Sequence, residues 1–270
     1  MKTETVMNDT ASLNYIENCE LASCTHSLAE HTEAMSARLR SGDQPVVPVA
    51  PQGAVVGGSV VAFTEGVSRQ NKEDVMDSFL FATLVANKAF NPESQTQLWY
   101  GKYNEVLAKL GWLSVNWSYA RYRTTRQSFT MDQVGLEIIG SAIAAAALPG
   151  PASAAMLKVA GDAIAVLKAK DKPLRLFEHQ SKTHKGGSFR IAACSESSDG
   201  FVNVALGAVS FNTEINVTNV LFWEWNNSDV STYQGQNNLV LNSTVYQRHR
   251  ELVRERLGNN AKDAIEEYEI

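Results

Sequence analysis

The sequence predicts an α+β protein: a central mixed or antiparallel sheet flanked by helical pairs, in a single compact domain that follows an N-terminal arm. Three observations carry that prediction. Helical spacing punctuated by capping residues covers most of residues 68 to about 170, apart from one alternating stretch; the period switches to two after "HKGGS"; and no internal repeat interrupts the order of helices then strands. At 270 residues the chain can bury most of the apolar surface its unfolded form exposes.

Residues 1 to about 43 are polar, and "LASCTHSLAEHTEAMSARL" sets Leu21, Cys24, Leu28 and Met35 at helical spacings, which predicts one peripheral amphipathic helix. "SGDQPVVPVAPQGAVVGG" follows with three prolines and terminal glycines, so it reads as a linker. Residues 1–57 are therefore expected to form a flexible or peripheral arm and 58–270 the folded body.

Ser68 or Asn71 suits the cap of a first helix, on which Val75, Phe79, Ala82 and Ala86 share a face. Asn91 and Pro92 open a second helix and Gly111 closes it. "WLSVNWSYARYRTT" alternates, with Leu113, Val115, Trp117 and Tyr119 on the face expected to be buried. Thr130 and Gln133 form a capping box before "GLEIIGSAIAAAAL", the "PGP" of Pro149 to Pro151 breaks that helix, and a second alanine-rich helix, "ASAAMLKVAGDAIAVLKAK", follows, which Pro173 ends or restarts.

Strands are expected at 188–196, 201–211 and 215–225, with Asp199-Gly200 as a tight two-residue turn between the first two. That turn sets Cys194 opposite Ala205, Ala193 opposite Leu206 and Ala192 opposite Gly207. "NNLVLNSTVYQRHRELVRERLGNN" reads as a helix capped near Asn242 or Ser243 and closed by Gly258.

Composition removes several functions. With 24 Lys+Arg against 29 Asp+Glu in mixed order, net charge −5, no basic footprint for nucleic acid is present. Three cysteines, an odd number in a long chain, do not make a disulfide framework. Met1-Lys2-Thr3-Glu4 continues without an apolar run, so a Sec-type signal is not expected; cytoplasmic synthesis, with non-Sec export or membrane association, is.

Cys19, Cys24, His26 and His31 fall within thirteen residues, but C-x4-C-x-H-x4-H is not a zinc-finger spacing and the two cysteines point to different faces of a helix, so no metal site is expected. A thiol enzyme would need a histidine, from His179, His184 or His249, beside Cys194; no nucleophile signature surrounds "AACSES", and an enzyme is not expected. The 134–167 hairpin invites a membrane reading, yet each arm falls short of roughly 20 apolar residues and Glu137, Lys158 and Asp162 interrupt them. The bland reading is a buried pair packed through small residues.

The expected neighbours of Cys194 are Ala192, Ala205 and Gly207, all small. Such a face can mean close approach of helices. It can equally mean room for an apolar guest between sheet and hairpin, with Ala142, Ala145, Ala146, Ala155 and Val159 as the far wall and the cysteine placed to hold the guest covalently.

At "GSVVAFTEGVSRQNKEDVMDSFLFATLVANK", at "WYGKYNEVLAKLGW" and at the Cys194 hairpin, the sequence resembles the bacterial Evf-type virulence factor family. The resemblance covers roughly Gly58 to the C-terminus. It implies an α/β fold of complex topology in which one cysteine carries a palmitoyl chain as a thioester inside a central cavity, in proteins linked to persistence or toxicity in insect guts. Cys194 alone carries over as the lipid attachment residue, since Cys19 and Cys24 lie in the arm. The expectation is a non-enzymatic virulence-type effector, with palmitate as its covalent cofactor and fatty acid and host membrane as partners. The alternative is a membrane-inserting or pore-forming toxin that uses the 134–167 hairpin.

Overall fold

A computed structural model describes residues 2–23, 50–115, 117–215 and 219–270. The chain runs α1 (Lys2–Asn18), β1 (Gln52–Val56), β2 (Ser59–Phe63), α2 (Arg69–Ala89) and α3 (Thr96–Lys109). Three short strands follow, β3 (Trp112–Ser114), β4 (Ser118–Arg121) and β5 (Ser128–Thr130), then α4 (Met131–Ala145), α5 (Gly150–Ala169) and α6 (Asp171–Ser181). The last third is β6 (Lys182–Thr183), β7 (Gly186–Glu196), β8 (Val202–Thr213), β9 (Glu224–Asn226), β10 (Val230–Leu241), α7 (Ser243–Leu257), α8 (Asn260–Ala264) and β11 (Ile265–Glu269).

Among the described residues one large mixed sheet holds the order β11-β1-β2-β7-β8-β10-β3, with β4 also on β10 and β6 also on β7. Its β2–β7 pair is parallel and the other pairs are antiparallel. Helices cover both faces. Alternate side chains of β2, β7 and β8 feed two separate cores, one under α2, α3 and α7, the other under α4, α5 and α6. The α+β expectation of a mixed sheet between helical pairs holds in this layered form.

Local chemistry explains the helix ends. The Ser68 hydroxyl accepts the Asn71 N–H at 3.3 Å, and Thr130 with Gln133 completes the capping box of α4. Asn242 accepts from the Val245 N–H at 3.3 Å to start α7. Gly111 closes the turn after α3 at φ +100, a conformation that favours glycine. Asn91 accepts from the N–H groups of Glu93 and Ser94, so it caps a separate turn ahead of α3 rather than α3 itself.

Four expectations change. The boundary at Gly58 falls inside the β1–β2 hairpin: β1 pairs with both β2 and β11, so the arm contributes an interior strand of the sheet. The prolines excluded helix up to Pro51, but an extended strand can begin as soon as they end. β10 lies where loop and the start of a helix were expected, because its buried polar residues hide the apolar pattern. Asn237 donates to Asn104 Oδ1 at 3.0 Å and Asn238 donates to the Ala142 carbonyl at 2.9 Å. Over the expected strand 215–225 the described residues contain a turn at 220–222 and strand only from Glu224. Leu113 and Val115 are exposed, since Trp112 is the residue that β3 turns inward.

Candidate functional site

Cys194 sits near the end of β7, between β2 and β8. Phe63 is its parallel partner, Val204 is its antiparallel partner, and its carbonyl accepts the Thr64 N–H at 3.0 Å. Its side chain is 0% exposed. The residues that share its face are Ala192 on β7 and Val202, Val204 and Leu206 on β8, so the group under α2 and α3 surrounds it.

This register departs by one residue from the two-residue turn. Ser197 N donates to Phe201 O at 2.9 Å and Gly200 N to Ser197 O at 2.9 Å, which makes a three-residue loop with Gly200 alone at positive φ, +80. A one-residue slip turns every partner to the other side of the sheet. Cys194 therefore faces Val204 instead of Ala205, Ala193 faces Ala205 instead of Leu206, and Ala192 faces Leu206 instead of Gly207.

Of the expected cavity wall, Ala192 stays on the cysteine's face and the rest does not join it. Ala205, Ala142 and Val159 are buried in the opposite core, and Ala145 and Ala155 are exposed while Ala146 is half-buried. The small residues of the opposite face serve close helix packing. A Cβ on Gly207 would meet the Ile139 backbone nitrogen at 3.1 Å and one on Gly135 would meet Ile191 Cδ1 at 2.3 Å, so α4 lies directly on β8.

Two charges act on the Cys194 thiol. Burial pushes its pKa well above the ordinary thiol value, Glu196 pushes the same way and Lys72 opposes. Lys72 is itself 2% exposed, with Nζ 5.7 Å from the Phe63 ring centroid and donating to the Ala50 carbonyl and Gln52 Oε1 at 3.2 and 3.1 Å. Burial lowers its pKa against the pull of Glu267 and Cys194. A thiol held protonated is a poor nucleophile. Of the histidines considered as its base, His179 and His184 are exposed and His249 is buried within α7.

Among the described residues, Lys72 and Arg190 are buried cations that the sequence reading passed over. In "SFRIAACS" the alternation puts Ser188, Arg190, Ala192 and Cys194 on one face, and a charge at an inward position of an apolar strand was the available signal. Cys24, His26 and His31 lie outside the described residues. Among the described residues no cluster of three or more His, Cys, Asp or Glu could hold a metal ion.

The 134–167 hairpin is α4 and α5. α5 is 20 residues long and only partly buried; among the described residues it is the one helix long and apolar enough to cross a membrane. The helix starts at Gly150, inside "PGP", two residues ahead of "ASAAM".

The chain matches no family model and no curated protein sequence. It is similar to the solved structure of a delta-endotoxin, at 12% identity and a TM-score of 0.40, over 81% of this chain and 91% of that one. It is also similar to the structure of the Evf virulence factor, at 11% identity and a TM-score of 0.31, over 78% of this chain and 82% of that one. Both are weak likenesses.

Proposed function

We propose that the chain is a non-enzymatic, virulence-type effector that carries a fatty acyl chain, palmitate, as a thioester on Cys194 and acts at host membranes. The observation that carries this reading is the complete burial of Cys194. A thioester is lost when water or hydroxide attacks its carbonyl, and a site closed to solvent removes the attacker. The raised thiol pKa argues in the same direction, since a protonated sulfur suits neither a catalytic nucleophile nor a metal ligand.

A chain on Sγ would extend into the α2/α3 layer, away from the alanine-rich hairpin. Because the folded thiol is inaccessible, acylation has to precede closure of that layer. Labelling growing cells with an alkyne-bearing palmitate analogue tests the reading. The full chain should take up the label and Cys194→Ser should not; equal labelling of the two would refute attachment at this residue.

α5 favours a second reading, membrane insertion of the α4–α5 hairpin. Met156 on α5 touches Ser195 on β7, with Ser195 Oγ 3.4 Å from the Met156 sulfur. A cysteine pair at these two positions would hold α5 on the sheet when oxidised. Dye leakage from liposomes that disappears on oxidation and returns on reduction would support insertion, and leakage indifferent to the bridge would oppose it.

A further inference from the structure

A second site lies on the Cys194 face of the sheet, at the Arg190 end of β7, and owes nothing to the thiol. A cavity of ≈ 220 Å³ opens there between α2, α6 and β6, with Arg190, Ser181, Thr183 and Trp99 in its wall. We propose that it binds a tetrahedral oxyanion, phosphate or a phosphate ester.

Arg190 is 3% exposed. Its Nε donates to Ser59 Oγ at 2.7 Å, and its Nη2 donates to the Gly57 carbonyl and to Thr83 Oγ1. Its guanidinium carbon stands 4.8 Å from the Trp99 ring centroid and 5.2 Å from that of Tyr103. Hydroxyls, a carbonyl and ring faces solvate and orient the cation, but none of them neutralises it. A buried charge ordinarily has a counter-charge. The cavity wall contains no aspartate or glutamate among the described residues, and its other ionisable members, His179 and Lys182, are basic types.

Two further groups point to the same ligand. Ser181 is 1% exposed, and its hydroxyl has no hydrogen-bond partner among the described residues. The Thr183 hydroxyl is likewise buried without a partner. Unsatisfied buried hydroxyls in the wall of a polar cavity are donors waiting for an acceptor. A carboxylate offers two oxygens in one plane, whereas a tetrahedral anion offers oxygens in further directions and can take up the serine and threonine donors together with the guanidinium. The volume exceeds that of the anion itself, which leaves room for a small ester substituent.

The test is equilibrium binding to the full chain, read by titration calorimetry, with three probes: inorganic phosphate, glycerol 3-phosphate, and vesicles of phosphatidic acid in phosphatidylcholine. Saturable phosphate binding is expected, weakened about tenfold in Ser181→Ala, the usual effect of removing one hydrogen bond to a charged group. Arg190→Gln should abolish it. If that variant does not fold, Ser181→Ala and Thr183→Val, checked for an unchanged melting temperature, decide in its place. Vesicle binding that inorganic phosphate competes away and Ser181→Ala weakens would identify a lipid headgroup as the source; binding of the two soluble probes without vesicle binding would identify a free phosphate ester. No saturable binding of any probe, or binding that every variant leaves unchanged, would overturn the proposal and leave Arg190 as a clamp on the β1–β2 turn.

Discussion

Cys194 lies directly opposite Val204 in the β7–β8 ladder. The pairing decides which of two cores the thiol belongs to, and places it beneath α2 and α3 with the sheet between it and the alanine-rich helices. Any group carried on this sulfur is therefore independent of the small residues at Ala205 and Gly207.

Enlarging those two residues should cost stability and leave Cys194 untouched. A methyl on Gly207 would press on the α4 backbone, and Ala205→Leu would overpack the α4/α5 core. Chemical denaturation should show a loss of ~1–3 kcal/mol for each, the usual cost of overpacking. The chemical state of Cys194 should match wild type in both variants. A change in that state with full stability would mean that the two faces share one cavity.

Wherever Cys194 is unmodified, its thiol should react with a bulky disulfide reagent only as fast as the protein opens. Burial both blocks the reagent and holds the proton on sulfur. Labelling of a variant that keeps Cys194 as its sole cysteine should be slow in buffer and fast in denaturant. Rapid stoichiometric labelling of the native protein would show an open path to the site.

Asp77 gives the fold a pH dependence of unusual sign. It faces Arg254 at 3.2 Å on α7, with Glu73 and Asp74 on its own helix; burial raises its pKa to about 6, the two carboxylates add to the rise and Arg254 opposes it. Its unfolded value is near 3.9. Between those values the native state holds the proton more tightly, so this group's contribution to stability falls as pH rises from about 4 to about 6. Asp77→Asn should flatten the slope of unfolding free energy across that window. An unchanged slope would show that Asp77 titrates normally.

A chain beginning at Gly58 should fail to fold. It lacks β1, whose loss would leave β2 and β11 without their shared partner, and it lacks Ile16 and Cys19 from the core under α2. A cooperative thermal melt at the wild-type temperature would show that the arm is dispensable after all.

The helices were legible in the sequence because their signals are local. Ser68, Thr130 with Gln133, Asn242 and Gly111 each act within one turn of the chain, and each does the expected work. The site was less legible because it depends on register. Asp199-Gly200 marks a hairpin, but the same dipeptide serves a two-residue turn and a type I turn closed by a left-handed glycine, and the extra residue exchanges the faces. β1 and β10 were hidden for a different reason. The proline-rich stretch up to Pro51 masks the start of β1 even though its hairpin partner β2 follows directly, and the buried amides of Asn237 and Asn238 break the apolar alternation of β10.

Intact mass spectrometry of the freshly purified full chain, expressed in bacteria, reads the covalent state of Cys194. The expected species is heavier by one palmitoyl group, is returned to the unmodified mass by hydroxylamine and is absent in Cys194→Ser. A single species at the unmodified mass, before and after hydroxylamine, would contradict the Cys194 thioester.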